Sequence, residues 1–411
     1  MSISPSDRNI LRDLAKQQLE LAKSPKNESL IQAWKEHGAF KKGSRPMIMI
    51  ELGTFAPEIL PPLQKCEGDE ARKLEWMLLS NIVNRTLFDD DTVVNDYLPV
   101  SMRSYFVPFG LEVKVEHAGD SLGHHFIPYL HELEEDIHLL KKSTFGVDRA
   151  ATLARVDYLN EIFGDILPAR ITGHCLYSCP TQAVVHIMSM EDMFVAMMDE
   201  PELFLKMMDQ YAEDTLEYFD LLEKEGAILS TTENEHLAQG SYCYTDELEK
   251  REGPMKSNEI WGYLDSQETS GVSPQLFHDL VWPCYKKIAA RYGLLSYGCC
   301  EAVNGIWENC LSELDNLRKV SISPWCDEEY MGERLRGRRT VYLRKPTPNL
   351  IGVGSGLDEE AVIAHFTKTV NAAQGCKLEI AQRDVYQISD SPDKVRRYVQ
   401  LIRQCCEKHK Y

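Results

Sequence analysis

The chain reads as an α/β protein, a (β/α)8 TIM barrel with an N-terminal helical extension and a decorating insertion near residues 90–130. Three observations lead there. From residue 45 onward, about eight short strand-like runs alternate with helical segments, the rhythm of parallel strands joined by right-handed crossovers. Runs such as Met47-Ile-Met-Ile50 are continuously apolar, as a parallel strand covered on both faces requires. Several runs also stop abruptly on thiols, carboxylates and imidazoles, the side chains that a barrel carries on its C-terminal rim.

Residues 1–43 form the extension and 44–411 the barrel domain. Asn9 to Lys23 places Ile10, Leu11, Leu14, Leu19 and Leu21 at amphipathic spacing, so helices are expected to wrap the outside of the core. Arg45 to Leu52 is the first buried strand, a helix follows over 70–86, and Asp89-Asp-Asp91 makes an acidic break. Val93 to Glu116 holds short mixed strand signals. Val113 and Val115 alternate with Lys114 and Glu116, a half-exposed strand suited to a rim hairpin, whereas Gly119 to Pro128, with His124 and His125, reads as loop.

The rhythm then becomes regular. Asp148 to Phe163 is helical, and Ala169 to Tyr177 is a strand with a polar end. Ser189 offers an N-cap, and Pro201 opens a helix whose Phe204, Met207, Met208, Tyr211 and Phe219 share one face before Gly226 closes it. Ala227 to Glu235 is the next strand. A glycine-containing loop leads to a helix over 273–292. Leu294–Tyr297, Val320–Ser323, Val341–Arg344 and Leu378–Ala381 are further strands, with helices over 308–314, 328–335 and 358–373 between them.

A net charge of −19 excludes a broad nucleic-acid footprint, because phosphate contacts need clustered Lys and Arg. No apolar run reaches the ~20 residues of a membrane span, and the polar N-terminus lacks a signal-peptide core. A cytoplasmic location is expected, so the twelve cysteines are read as reduced thiols. No Gly-x-Ser-x-Gly elbow, phosphate loop or His-Glu-x-x-His is present.

The strand ends supply the candidates. Glu233-Asn-Glu-His236 closes one strand; alternation puts Glu233 and Glu235 on one side, Asn234 and His236 on the other. Glu235, His236 and Glu301 are candidate acid–base groups, while Phe55, His174, Tyr177, Asn234, Tyr297 and Trp325 are candidate substrate contacts. Cys299, Cys300 and Cys326 are candidate ligands for a zinc ion, which needs three or four N, S or O donors. The competing reading is a set of packed thiols around a substrate pocket. His124 and His125 either reach over the rim to substrate or form an exposed loop pair.

From Pro46 to the C-terminus the chain resembles the uroporphyrinogen decarboxylase superfamily. The resemblance is carried by Gly173-His-Cys-Leu-Tyr-Ser-Cys-Pro-Thr-Gln182, by the Asp199-Glu-Pro-Glu-Leu203 helix start, and by Leu295 to Glu301 at the family's His-x-Cys-Gly position. It implies the barrel fold, a homodimer, and either decarboxylation or methyl transfer to and from corrinoid proteins. The haem-pathway decarboxylase has an Arg-rich segment after its first strand; here Glu51 to Glu58 has no arginine and two acids, which would repel a polycarboxylate. The zinc-dependent methyltransferases bind their ion through His-x-Cys and a later Cys. Tyr297 stands at the His place, Cys299 matches the Cys, and Arg383 and Asp384 stand near the last strand, which argues against coenzyme M as acceptor.

The expected function is therefore methyl transfer from an O- or N-methylated small molecule, such as a methoxylated aromatic, to a corrinoid protein that brings the cobalamin. A cofactor-independent decarboxylase of another acid and a non-catalytic ligand-binding barrel are the alternatives.

Overall fold

A computed structural model describes residues 3–117, 119, 123–409 and 411. Met1 and Ser2 of the extension, and residues within the expected 119–128 loop, lie outside it. The strands that build the core are β1 (Met47–Ile50), β2 (Leu98–Ser101), β3 (Ala169–Thr172), β4 (Leu176–Ser178), β5 (Trp261–Leu264), β6 (Leu294–Tyr297), β7 (Leu317–Ile322), β8 (Val341–Arg344) and β9 (Lys377–Gln382). Seven of them form one parallel sheet in the order β1-β9-β8-β7-β6-β5-β4, and β2 pairs in parallel with β3. Strands β1, β5, β6 and β8 are buried along their whole length. That burial explains why their sequences run apolar without alternation.

The principal helices are α1 (Pro5–Ala22), α2 (Pro25–Gly38), α3 (Asp69–Val83), α4 (Arg149–Phe163), α5 (Met190–Asp199), α6 (Pro201–Lys224), α7 (Trp282–Ala289), α8 (Glu328–Leu335), α9 (Glu359–Ala372) and α10 (Pro392–Lys408). Six of the starts follow the capping rule: Ser4, Ser24, Asp148, Ser189, Asp327 and Asp358 each accept a backbone N–H from the first turn. The helix expected over 273–292 runs from Pro274 to Ala289 with a π-turn over Phe277–Val281 just before Pro283, and of 308–314 only Leu311–Glu313 is helical, as a 3-10 turn.

The ladder does not close into a ring. Beside β1, the Asp89–Asp91 break replaces a strand with side chains. Ile48 N donates to Asp91 Oδ2 at 2.8 Å, Ile50 N to Asp90 Oδ2 at 2.9 Å, and Asn84 Nδ2 to the Ile50 carbonyl at 2.7 Å. Arg45 and Arg403 clamp Asp91 at 2.8 and 2.9 Å. The exposed edge of β1 is thus satisfied without a partner strand.

Three expectations change. The run 227–235 is not a strand; it ends in a bend over 232–235 and is joined by single bonds, Trp261 N to Thr231 Oγ1 and Met255 N to the Ile228 carbonyl, both at 2.9 Å. It lies so close that a Cβ on Gly173 would stand 2.3 Å from the Ser230 carbonyl oxygen. That contact accounts for the break of the expected 169–177 strand into β3 and β4. The segment read as loop before 273 contains β5, whose Gly262 accommodates the Tyr292 ring at 2.1 Å from a would-be Cβ. Finally, His124 and His125 belong to a strand, His124–Phe126, paired antiparallel with Val115–His117. A second hairpin, Ser104–Val107 with Thr144–Val147, carries the insertion beyond residue 130.

The extension does more than wrap the core. Trp34 and His37 of α2 are buried under the sheet, where His37 Nε2 lies 3.1 Å from Glu379 Oε1. Lys319 Nζ lies 2.7 Å from the same oxygen and donates to the Tyr242 carbonyl at 2.9 Å. Tyr242 belongs to a small hairpin, His236–Leu237 with Ser241–Tyr242. Burial opposes the Glu379 charge, but Lys319 and His37 overcome it and hold the carboxyl at about 2.

Candidate functional site

Two adjoining regions occupy the C-terminal ends of the strands. The first is a cavity of about 650 Å³ lined by Glu51, Tyr97, His174, Asn234, Glu235 and His236, with Trp76 and the amides of Asn81, Asn84 and Asn95. Because 233–235 is a bend, alternation does not separate these side chains, and Asn234, Glu235 and His236 all reach the cavity. The Asn234 amide donates to Asn95 Oδ1. Glu235 is half-buried and accepts the Glu233 N–H at 2.8 Å. Burial pushes its carboxyl up, and the Glu233 charge adds to the shift. The His236 side chain is exposed toward the cavity, and the protein packed around it pushes its ring down, favouring the neutral form. Tyr97 is pushed up to about 12 by burial and by the charges of Glu235 and Glu233. His174 opens to the cavity with its Nδ1 2.9 Å from the Cys175 carbonyl.

The second region is a cleft at the ends of β5, β6 and β7 that includes Met190, Gln267, Glu268, Cys300 and Trp325, with Lys345 and Arg383 from the ends of β8 and β9 beside Cys299. Cys299 is buried and Cys300 partly exposed, with their sulfurs 3.5 Å apart. Arg383 Nη1 lies 3.8 Å from Cys299 Sγ, and Cys300 Sγ lies 3.9 Å from Asp384 Oδ2. The hydrogen bond the two thiols share raises Cys299 and lowers Cys300, so Cys300 ionises first. Lys345, 3% exposed, donates to Gln239 Oε1 at 2.9 Å and to the carbonyls of Gly298 and Cys299 at 3.0 and 3.3 Å. Gly298 takes φ +101°, a conformation open to glycine that turns the strand end toward Lys345. The two regions touch: Gln239 lines the cavity, and Glu51 accepts from Arg383 Nε at 2.9 Å.

The remaining candidates are placed elsewhere. Phe55 is 1% exposed and packs on Phe88, and Tyr297 is fully buried with its hydroxyl 2.7 Å from Ser266 Oγ, so neither ring faces the cavity or the cleft. Both lie in the hydrophobic core. Glu301 acts as a staple: its two oxygens accept the Ser266 and Cys299 N–H groups at 2.9 and 2.8 Å. Tyr177 is half-exposed and stacks on Tyr263 with centroids 5.2 Å apart, while Trp325 is exposed on the lip of the cleft. His124 and His125 lie on the exposed rim hairpin.

The donor set was tested for zinc. Cys326 Sγ faces the Glu301 carbonyl at 3.7 Å, Cys299 faces a guanidinium, and Tyr297 is committed to the core. Among the described residues, no three His, Cys, Asp or Glu side chains are grouped so as to hold a metal ion. These residues do not fit zinc, and no step below runs through one.

Groups without an assigned role in the sequence reading also belong here. Asp265, at the end of β5, accepts from Tyr263 at 2.7 Å, and burial followed by the Glu301 charge raises its carboxyl. It escaped notice because β5 itself did. Lys345, Arg383 and Glu51 each follow a strand, and the fold joins the two regions through them.

No protein-family model matches the chain, and no curated protein does. Among solved structures the chain is similar to a methyltransferase from Methanosarcina mazei, with 12% identity, 93% of this chain and 98% of that chain covered, and a TM-score of 0.51. This likeness shows the fold. A protein described as a vitamin-B12-independent methionine synthase from Listeria monocytogenes covers 61% of this chain and 68% of its own at 12% identity, with a TM-score of 0.30. Among the described residues no helix is long and apolar enough to cross a membrane.

Proposed function

We propose that the chain is a methyltransferase of (β/α)8-barrel type. It moves a methyl group from an O- or N-methylated small molecule bound in the 650 Å³ cavity to a corrinoid protein docked over the rim. The observation that carries the reading is the Glu235 carboxyl, raised by burial and held in that cavity beside a neutral His236. A methyl group on oxygen or nitrogen leaves readily only when its leaving atom gains positive charge. A carboxyl that keeps its proton above the ordinary range can protonate that atom as the methyl departs. The corrinoid, as methyl acceptor, supplies the nucleophilic cobalt.

The other cavity groups bind and orient. Asn234, Asn95 and Asn81 offer amide hydrogen bonds, and Trp76 and Tyr97 offer faces to an aromatic or methylated group. Among the described residues the lining contains no lysine or arginine, and its acids are Glu51 and Glu235. A substrate bearing many carboxylates would find no cation in this lining to pair with, which weighs against the decarboxylase reading. Exposed Tyr177 of β4, with Trp325 and Tyr386 beyond β7 and β9, suits a protein partner.

The test supplies the protein with candidate donors in parallel incubations, with and without reduced cobalamin. Demethylated donor and methylcobalamin in equal amounts support methyl transfer. Carbon dioxide released without corrinoid would replace it with decarboxylation.

A further inference from the structure

We propose that Cys299 and Cys300 form a modification site, a dithiol that a hydroperoxide closes to a disulfide between adjacent residues. The proposal stands independently of methyl transfer. Its basis is the geometry at the end of β6. The two sulfurs already face each other at 3.5 Å, Cys300 opens into the cleft beside Trp325, and Cys299 lies behind it with Arg383 3.8 Å away. Adjacent residues on a regular strand point to opposite faces and could not meet in this way. Here the strand has ended. Gly298 at φ +101° turns the chain, Lys345 holds the Gly298 and Cys299 carbonyls, and Glu301 holds the Cys299 N–H at 2.8 Å, so both thiols are presented on one side.

The chain contains its own control. Cys405 and Cys406 are also adjacent, but they lie within α10, where successive side chains diverge by about 100° around the helix and cannot pair. Sequence adjacency alone therefore does not make the site.

The chemistry balances with one hydroperoxide. The Cys300 sulfur attacks a peroxide oxygen; the O–O bond breaks, a sulfenic acid forms and, for hydrogen peroxide, one water leaves. The Cys299 sulfur then attacks the Cys300 sulfur, the S–S bond forms, the S–O bond breaks, and a second water carries away the hydroxyl with a proton. Two thiols lose two electrons and two protons, and the peroxide is reduced to two waters. Closing the bond draws the sulfurs from 3.5 Å to about 2 Å. That movement alters the contact of Cys299 with Arg383, whose Nε holds Glu51 at the wall of the cavity. A disulfide between neighbours is strained and therefore easily reduced, as a reversible modification in a reducing compartment requires.

The test treats the full chain with one equivalent of hydrogen peroxide and reads intact mass and a peptide map under non-reducing conditions. Loss of two hydrogens, mapped to the peptide carrying Cys299 and Cys300 and reversed by dithiothreitol, is expected. A C405S/C406S double variant should behave as the parent, and C300S should keep Cys299 as a free thiol. Phenylarsine oxide, which condenses with two neighbouring thiols and releases water, should bind once per chain and block the oxidation. Both thiols remaining free after peroxide would overturn the proposal. So would a disulfide mapped to other cysteines, or a sulfinic acid at Cys300 with Cys299 untouched.

Discussion

Replacing Lys345 with methionine should cost stability that a surface lysine does not supply. The Lys345 ammonium is 3% exposed and donates to three oxygens, Gln239 Oε1 and the Gly298 and Cys299 carbonyls, at 2.9, 3.0 and 3.3 Å. Methionine keeps the volume of the stem and removes every donor. A buried acceptor left without a partner costs about 1–3 kcal/mol. The Cys299 bond is long, and Gln239 can turn toward water in the cavity it lines, so the Gly298 carbonyl bears most of the loss. Against this stands the desolvation of the ammonium, which burial already opposes, as its lowered pKa shows. A net loss of about 1–2 kcal/mol follows. For a chain of 411 residues, unfolding entropy converts that into a fall in Tm of roughly 1–2 °C. Differential scanning calorimetry on K345M and on K16M provides the comparison, because Lys16 pairs with Asp13 on the open surface. With its anchor gone, the Gly298–Cys299 strand end should also loosen, and iodoacetamide should alkylate Cys300 faster. A Tm for K345M no lower than that of K16M would refute this reasoning.

Three further outcomes can be checked. A general acid works only while protonated, so the pH–rate profile should fall as pH rises through the raised Glu235 pKa. E235Q should lose about 100-fold or more in kcat, and a profile unchanged in shape would exclude Glu235 as the acid. The Glu379 carboxyl is held at about 2 in the fold against 4.5 as its ordinary value. Its contribution is therefore fully present above pH 4.5 and is lost as pH falls toward 2. E379Q, which strands Lys319, should be less stable at neutral pH by about 3–5 kcal/mol and should lose stability less steeply over that acid range in urea titrations. Gly173→Ala should lower Tm by several degrees and disturb the neighbouring His174, because its Cβ would meet the Ser230 and Leu229 carbonyl oxygens at 2.3 and 2.7 Å and backbone cannot yield easily. An unaltered Tm in that variant would show that the 229–230 segment is free to move.

How much of this was legible before folding depends on the range of the interactions involved. The apolar runs of β1, β6, β8 and β9 announce buried parallel strands because their surroundings are uniform. β5 does not announce itself: Trp261-Gly-Tyr-Leu264 is short, and its glycine is there to admit Tyr292 from a distant segment. Ala227 to Thr232 has the composition of a strand, yet its partners are single groups such as Trp261 N, so no ladder forms. The site shows the same division. Glu235, His236 and Asn234 sit together in sequence and reach one cavity, as does His174. Phe55 and Tyr297 are aromatic strand-end residues whose rings turn into the core, and rotamer direction is set by neighbours far along the chain. Glu301 looks like an acid–base group until Ser266 and Cys299 occupy both its oxygens.

The most direct measurement is single-turnover methyl transfer to reduced cobalamin, followed by its change in absorption, for the parent chain and E235Q side by side. Methylcobalamin should form from at least one O- or N-methylated donor with the parent chain, and at least 100-fold more slowly with E235Q. Formation from no donor, or equal rates for the two proteins, would contradict methyl transfer driven by the Glu235 carboxyl.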